Sequence, residues 1–164
     1  MSGARLVPGS GQANIATGVP LLDHLLVELA LAARFDLSLE IEPDAPVAEV
    51  DAAGAAIGAA LAPLLASRAH GTGTMVADEA LAVAIVEASG RPLVVSNADL
   101  SGAGGLGTDL AARFLASLAD AARLTLHVRL VEGEDTDHCL EAIFKALGVA
   151  LSAAQVMAAD STEG

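Results

Sequence analysis

The sequence consists of two similar halves in tandem. When the chain is shifted against itself by 89 residues, the Ala-Ala-Arg segment at 32–34 falls on the same three residues at 121–123. Further along, a shift of 90 residues places Asp51 on Glu141. A repeat of this length indicates one supersecondary unit that is used twice. The chain must therefore fold into two related units, and polar residues can be compared between them position by position.

Each half shows the same order of predicted elements: strands, a helix, a strand and a second helix. In the first half, the spacing of apolar residues predicts a helix over about 21–33, a strand over 35–42 and a helix over 50–67. In the second half, we expect strands over 80–88 and 93–98, a helix over 108–121, a strand over 124–131 and a helix over 138–154. This order predicts an α+β fold, a two-layer sandwich built from a duplicated half-domain, with one sheet per half and its helices on one face.

The 164 residues fit a single domain with a substantial core. We place the two halves at about 1–70 and 71–157 and expect a frayed tail over 158–164. Ser89-Gly-Arg-Pro predicts a hairpin-like turn between two strands, and the four glycines within 101–107 predict a loop.

Composition excludes several classes of function. The formal net charge of −13 argues against binding nucleic acid through the general surface. No long apolar run lacks charged or helix-breaking residues, so we expect no membrane span. A single cysteine, Cys139, rules out an internal disulfide. These features favour the reducing cytoplasm.

Three polar residues at the start of the last predicted helix form a candidate metal-binding cluster. Asp137, His138 and Glu141 combine carboxylates and an imidazole within one helical turn, which suits manganese, iron or zinc. The alternative is an acidic helix N-terminus that is stabilised by the helix dipole. His24 stands near the start of the first helix, where a structural histidine is the alternative to a ligand.

Cations are scarce in this acidic chain, so individual ones merit attention. Lys145 is the only lysine and follows Glu141 by four residues, which predicts an ion pair along the helix. It could instead hold a phosphate or carboxylate as a point charge. Arg91 in its tight turn could bind the same kind of anion with its two-pronged guanidinium.

Five segments in this order resemble the imidazoleglycerol-phosphate dehydratase family. They are TGVPLLDHLL at 17–26, DEAL at 78–81, SGRP at 89–92, GGLGTDL at 104–110 and DHCLEAIFKA at 137–146. The resemblance covers about residues 9–155. It implies a fold similar to ribosomal protein S5 domain 2, with a duplicated half-domain, and a carbon–oxygen lyase of histidine biosynthesis that eliminates water from imidazoleglycerol phosphate.

The resemblance also implies roles for individual residues. Family members hold manganese through residues of both halves and of neighbouring subunits. In this chain the implied metal ligands are His24, His138, Glu141 and Asp137. The implied catalytic carboxylates are Glu141, Glu79 and Asp51. The implied substrate-binding residues, which hold the phosphate, are Arg91, Lys145 and His70.

The chain departs from the family pattern at three ligand positions, two in the first half and one in the second. Val47 and Ala48 replace two adjacent histidines, and neither side chain can coordinate a metal. Arg113 replaces a third histidine, and a guanidinium cannot bind a cation. We therefore expect at most one manganese site, with Arg113 in place of the second ion.

Two functions remain open on the sequence alone. The first is a dehydratase with reduced or lost activity. The second is a non-catalytic paralogue that takes part in assembly or binds a small phosphorylated ligand of imidazole type. In either case we expect a homo-oligomer, with a trimer favoured over the large cage that metal ions join in the family.

Overall fold

A computed structural model describes residues 2–99 and 109–163 of the chain. It contains seven strands and four helices in these ranges, with a 3-10 turn (Ala62–Leu64) after the second helix. In chain order they are β1 (Gly3–Pro8), β2 (Ala13–Ala16), α1 (Pro20–Ala33), β3 (Phe35–Glu40), α2 (Pro46–Leu61), β4 (His70–Ala77), β5 (Ala80–Glu87), β6 (Leu93–Ser96), α3 (Leu110–Ala122), β7 (Thr125–Glu132) and α4 (Thr136–Glu163).

The two halves form two sheets with matching topology. In the first sheet, of order β1-β3-β2, the central β3 pairs antiparallel with β1 and parallel with β2. In the second, of order β4-β5-β7-β6, β7 pairs antiparallel with β5 and parallel with β6. Strands β1, β2 and β3 thus correspond to β5, β6 and β7. The duplicated α+β fold predicted from the sequence is confirmed.

The repeat also holds at individual helix ends. Helices α1 and α3 both end in an arginine with left-handed backbone, Arg34 with φ 56° and Arg123 with φ 57°. These residues are 89 positions apart. Helices α2 and α4 begin at Pro46 and Thr136, which are 90 positions apart. The two offsets found in the sequence are therefore the offsets of the structural repeat.

Strand β4 is missing from the sequence-based prediction. Its sequence contains two glycines, Gly71 and Gly73, which interrupt a strand pattern. Both glycines lie against the backbone of α4, where a side chain would collide with the carbonyls of Ala150 and Ala146. The glycines therefore mark close approach of a helix to the sheet.

The predicted hairpin at 89–92 is wrong. Strands β5 and β6 are not neighbours, because β7 lies between them. The hairpin of this sheet instead joins β4 to β5 through Asp78 and Glu79. The predicted loop at 101–107 lies outside the described residues.

Two helices differ from their predicted bounds. Helix α2 begins at Pro46 instead of 50, because proline in the first helical turn loses no hydrogen bond. It ends at Leu61 instead of 67, where the 3-10 turn follows. Helix α4 continues to Glu163 instead of ending near 154. It extends through the segment that the sequence predicts as frayed, and Ala158 in that segment is buried.

Helices of different halves pack against each other. Helix α1 packs on α4, and α2 packs on α3. Glycines permit both contacts: a Cβ on Gly148 would lie 2.5 Å from the Leu29 carbonyl oxygen, and one on Gly54 would lie 2.8 Å from the Phe114 carbonyl oxygen. Because each of these helices packs on a helix of the other half, side chains of the two halves meet at two equivalent places.

Two helical segments, Pro46–Leu64 and Thr136–Ala159, are long and apolar enough to cross a membrane by composition alone. Both pack on sheets and helices of the same domain. Their apolar faces contribute Ile57, Phe144 and Leu147 to the buried core. These faces of the two helices are therefore part of the core of this fold.

Candidate functional site

The first contact between the halves joins an imidazole to a carboxylate. Nε2 of His24 on α1 lies 2.9 Å from Oε1 of Glu141 on α4. The side chain of His24 is half exposed and that of Glu141 one quarter exposed, so both remain accessible to a ligand. The start of α1 is anchored by Asp23, whose Oδ1 accepts hydrogen bonds from the backbone N–H and the hydroxyl of Thr17. This anchor fixes the turn of helix that carries His24.

The second contact joins a guanidinium to a carboxylate. Nε of Arg113 on α3 donates to Oδ1 of Asp51 on α2 over 3.1 Å, and a terminal guanidinium nitrogen donates to Oδ2. The repeat offsets relate Arg113 to His24 and Asp51 to Glu141. The two contacts therefore occupy equivalent places in the duplicated fold, but they are formed by different types of side chain.

The second-half histidine, His138, forms a separate acidic cluster. Its Nδ1 lies 2.7 Å from Oε1 of Glu79, and its Nε2 lies 3.3 Å from Oδ2 of Asp78. Its backbone N–H donates to Asp135 at the start of α4. The hydrogen bond with Glu79 raises the pKa of His138, and the negative charges of Asp135, Glu79 and Asp78 act in the same direction.

The predicted metal ligands thus lie at separate places within one chain instead of around a single point. His24 and Glu141 are in contact, whereas His138 bonds with Glu79 instead of Glu141. Asp137 is exposed and has no polar partner in the described ranges. The donor types at His24 and Glu141 fit a divalent ion.

The second contact does not fit a divalent ion. The guanidinium of Arg113 has no lone pair to donate, and it engages both oxygens of Asp51. The catalytic role predicted for Asp51 is therefore unsupported by its surroundings, because its carboxylate is held by a permanent cation. The role itself stays a prediction.

The predicted anion-binding residues lie at two ends of the second sheet. Nζ of Lys145 is 3.4 Å from the carbonyl oxygen of Val76 near the β4–β5 hairpin, so the predicted ion pair with Glu141 does not form. Arg91 and His70 lie at the other end, beyond the eight residues of β5, roughly 25 Å away at the rise of a strand. One chain does not bring Lys145 together with these two residues.

Two acidic residues of the His138 cluster were missed by sequence reasoning. Asp78 precedes the predicted Glu79 and has a left-handed backbone, with φ 51°, in the two-residue turn between β4 and β5. Asp135 precedes α4 and accepts from the N–H of His138. An Asp before a helix is a recognisable capping signal, but the hairpin that delivers Asp78 depends on the missed β4.

Together, the fold and these contacts define a duplicated two-layer α+β protein with its candidate site at the contacts between the halves. The family model of imidazoleglycerol-phosphate dehydratase matches residues 17–151. The chain therefore belongs to the imidazoleglycerol-phosphate dehydratase family.

Relatives and solved structures agree with this assignment. The imidazoleglycerol-phosphate dehydratase of Exiguobacterium sp. is 36% identical over 94% of this chain and 83% of its own length. That of Pelobacter propionicus is 38% identical over 90% of this chain and 80% of its own length. The crystal structure of the Staphylococcus aureus dehydratase superposes with a TM-score of 0.82 and 32% identity, covering 93% of this chain and 91% of that one.

Proposed function

We propose that the protein is a dehydratase of histidine biosynthesis that eliminates water from imidazoleglycerol phosphate in the cytoplasm. The observation that carries the proposal is the His24–Glu141 contact, which joins an imidazole and a carboxylate from the two halves at 2.9 Å. Family membership over residues 17–151 supports the choice of reaction and substrate. The enzyme class is a carbon–oxygen lyase.

The proposed site holds at most one manganese ion, with His24, His138, Glu141 and Asp137 as its ligands. When bound, such an ion acts as a Lewis acid that stabilises negative charge on the imidazole ring of the substrate. The four residues are divided within one chain, as described above. We propose that a second subunit completes the set in a homo-oligomer.

Glu79 has a positioning role in this proposal. Its carboxylate accepts from Nδ1 of His138 at 2.7 Å, which orients the imidazole ring. Carboxylates commonly orient metal-binding histidines in this way. Glu141 remains the candidate for both ligand and proton-handling carboxylate.

The substrate phosphate is proposed to bind between subunits, at Lys145 of one and at Arg91 and His70 of another. Their separation within one chain supports this division. The Arg91 side chain has no ion pair or hydrogen bond among the described residues, and its backbone is fixed by the hydroxyl of Ser89. An exposed guanidinium on a fixed turn suits a phosphate.

A turnover assay on imidazoleglycerol phosphate with added Mn²⁺ tests the proposal. We expect manganese-dependent water elimination, and we expect Glu141→Gln to reduce kcat by about 100-fold or more, as for loss of a group that acts on the transition state. Glu134→Gln is the matched control, because Glu134 is exposed and has no polar contact within residues 2–99 and 109–163. No turnover by the wild-type oligomer at saturating Mn²⁺ would contradict the proposal.

The alternative is a non-catalytic paralogue that binds the same small phosphorylated imidazole. The Arg113–Asp51 contact favours it, because the chain has lost ligands at one of two equivalent positions. Calorimetric titration with imidazoleglycerol phosphate separates the two functions. Binding without product supports the paralogue, whereas binding with product supports the dehydratase.

A further inference from the structure

The structure permits a direct comparison of two contacts that arose from one ancestral half. At the first, α1 provides His24 and α4 provides Glu141. At the second, α3 provides Arg113 and α2 provides Asp51. The carboxylate is retained at both places, whereas the imidazole has been replaced by a guanidinium at one.

We infer that Arg113 is a fixed-charge substitute for a divalent ion, so that the Arg113–Asp51 contact excludes metal and each protomer keeps one ion-binding contact at most. The number of ions bound at the His24–Glu141 contact rests on the proposed function. The exclusion of metal from the Arg113–Asp51 contact does not, because it follows from the chemistry of that contact alone.

The chemistry of the contact carries the inference. Both oxygens of Asp51 accept from the guanidinium, and Ser117 Oγ lies 3.5 Å from Oδ1. A metal ion would have to displace Arg113 and then bind a single carboxylate. A guanidinium stays protonated at any physiological pH, so the pair cannot be opened by deprotonation.

The positions equivalent to two predicted ligands offer no replacement. The repeat relates Val47 to Asp137 and Ala48 to His138, and the first-half residues carry no donor atom in their side chains. Space is not the limiting factor, since Arg113, Asp51 and Asp120 line an open cavity of about 560 Å³. The ion is therefore excluded by the loss of both imidazole donors at this contact and by the permanent charge of Arg113.

A variant that transfers the residues of the first contact to the second contact, here called the grafted variant, tests the inference. The grafted variant carries Val47→Asp, Ala48→His, Asp51→Glu and Arg113→His, which reproduces the residues found at the equivalent positions. Arg129→His is the control, because Arg129 is an exposed residue of β7 without a polar partner in the described ranges. Mn²⁺ per protomer is counted for the full-chain oligomers by calorimetry and by metal analysis, and circular dichroism checks that each variant folds.

We expect the grafted variant to bind one more Mn²⁺ per protomer than the wild type, and Arg129→His to bind the wild-type number. Wild-type protein with two ions per protomer would overturn the inference, and this result needs no variant. A folded graft without an additional ion would also overturn it. A third outcome is that the wild type binds no Mn²⁺ and the grafted variant binds one ion per protomer. This result would support the exclusion of metal by Arg113 and would contradict only the proposed single-ion site.

Discussion

At the scale of single residues, His138 provides a pH-dependent contribution to stability. The hydrogen bond that its ring donates to Glu79 raises the pKa of His138 above the ordinary value near 6.5. The stabilisation is therefore fully present below the pKa of the unfolded chain and is lost as pH rises through the higher folded pKa. We expect Glu79→Gln to lower the pKa of His138, measured by NMR titration of the ring protons in metal-free protein. Glu134→Gln should leave it unchanged, and an unchanged pKa in Glu79→Gln would contradict the assignment.

Asp36 gives the opposite pH dependence at another site. Its Oδ1 accepts from the backbone N–H groups of Gln12, Ser10 and Gly11, and these bonds lower its pKa. The stabilisation is present above the pKa of the unfolded carboxyl group and is lost as pH falls through the lower folded pKa.

We expect Asp36→Asn to lower the thermal midpoint at pH 7, and to lower it progressively less as pH approaches the folded pKa of Asp36. Asp120→Asn is the control, because Asp120 is exposed and its side chain makes no hydrogen bond in the described ranges. Midpoints from circular dichroism between pH 7 and 3 provide the measurement. A difference from the wild type that is independent of pH would contradict the role of the Asp36 carboxylate.

The sequence predicts the candidate site residues but not which of them are in contact. Asp137, His138 and Glu141 are adjacent in one helix, so their proximity follows from helical spacing alone. The partners Glu79 and His24 are contributed by a hairpin and by a helix of the other half. Such contacts depend on tertiary packing, which spacing within a helix does not determine.

At the scale of elements, close helix packing depends on small residues. Gly148 lies where α4 crosses α1, and an added Cβ would lie 2.5 Å from the backbone oxygen of Leu29. The backbone cannot move aside without separating the helices, so we expect Gly148→Ala to lower the free energy of unfolding by about 1–3 kcal/mol. Gly3→Ala is the control, since an added Cβ there meets nothing within 4 Å. Urea denaturation measures both, and equal stability of the two variants would contradict this packing.

The elements that the sequence predicts well are those with a regular apolar pattern. Strand β3 alternates between buried and exposed residues, and α1 carries leucines at helical spacing. Strand β4 has glycines at two positions of its buried face, because α4 approaches too closely for side chains. The reason for these glycines is the packing of α4 against β4. The sequence of β4 alone therefore does not indicate a strand.

At the scale of the whole molecule, the charge of −13 opposes association of protomers at low ionic strength. Only one of the two equivalent contacts retains metal-binding chemistry. We therefore expect trimers instead of the large cage, with association strengthened by salt. Multi-angle light scattering with Mn²⁺ and with a chelator measures the mass. A large cage that survives the chelator would contradict this expectation.

The central claim is that the duplicated fold keeps an ion-binding contact at one of its two equivalent positions and a guanidinium at the other. The most direct measurement is an anomalous difference map from crystals grown with Mn²⁺. We predict a peak beside His24 and Glu141 and none between residues 51 and 113. A peak between Asp51 and Arg113, or displacement of the Arg113 side chain by an ion, would contradict the account.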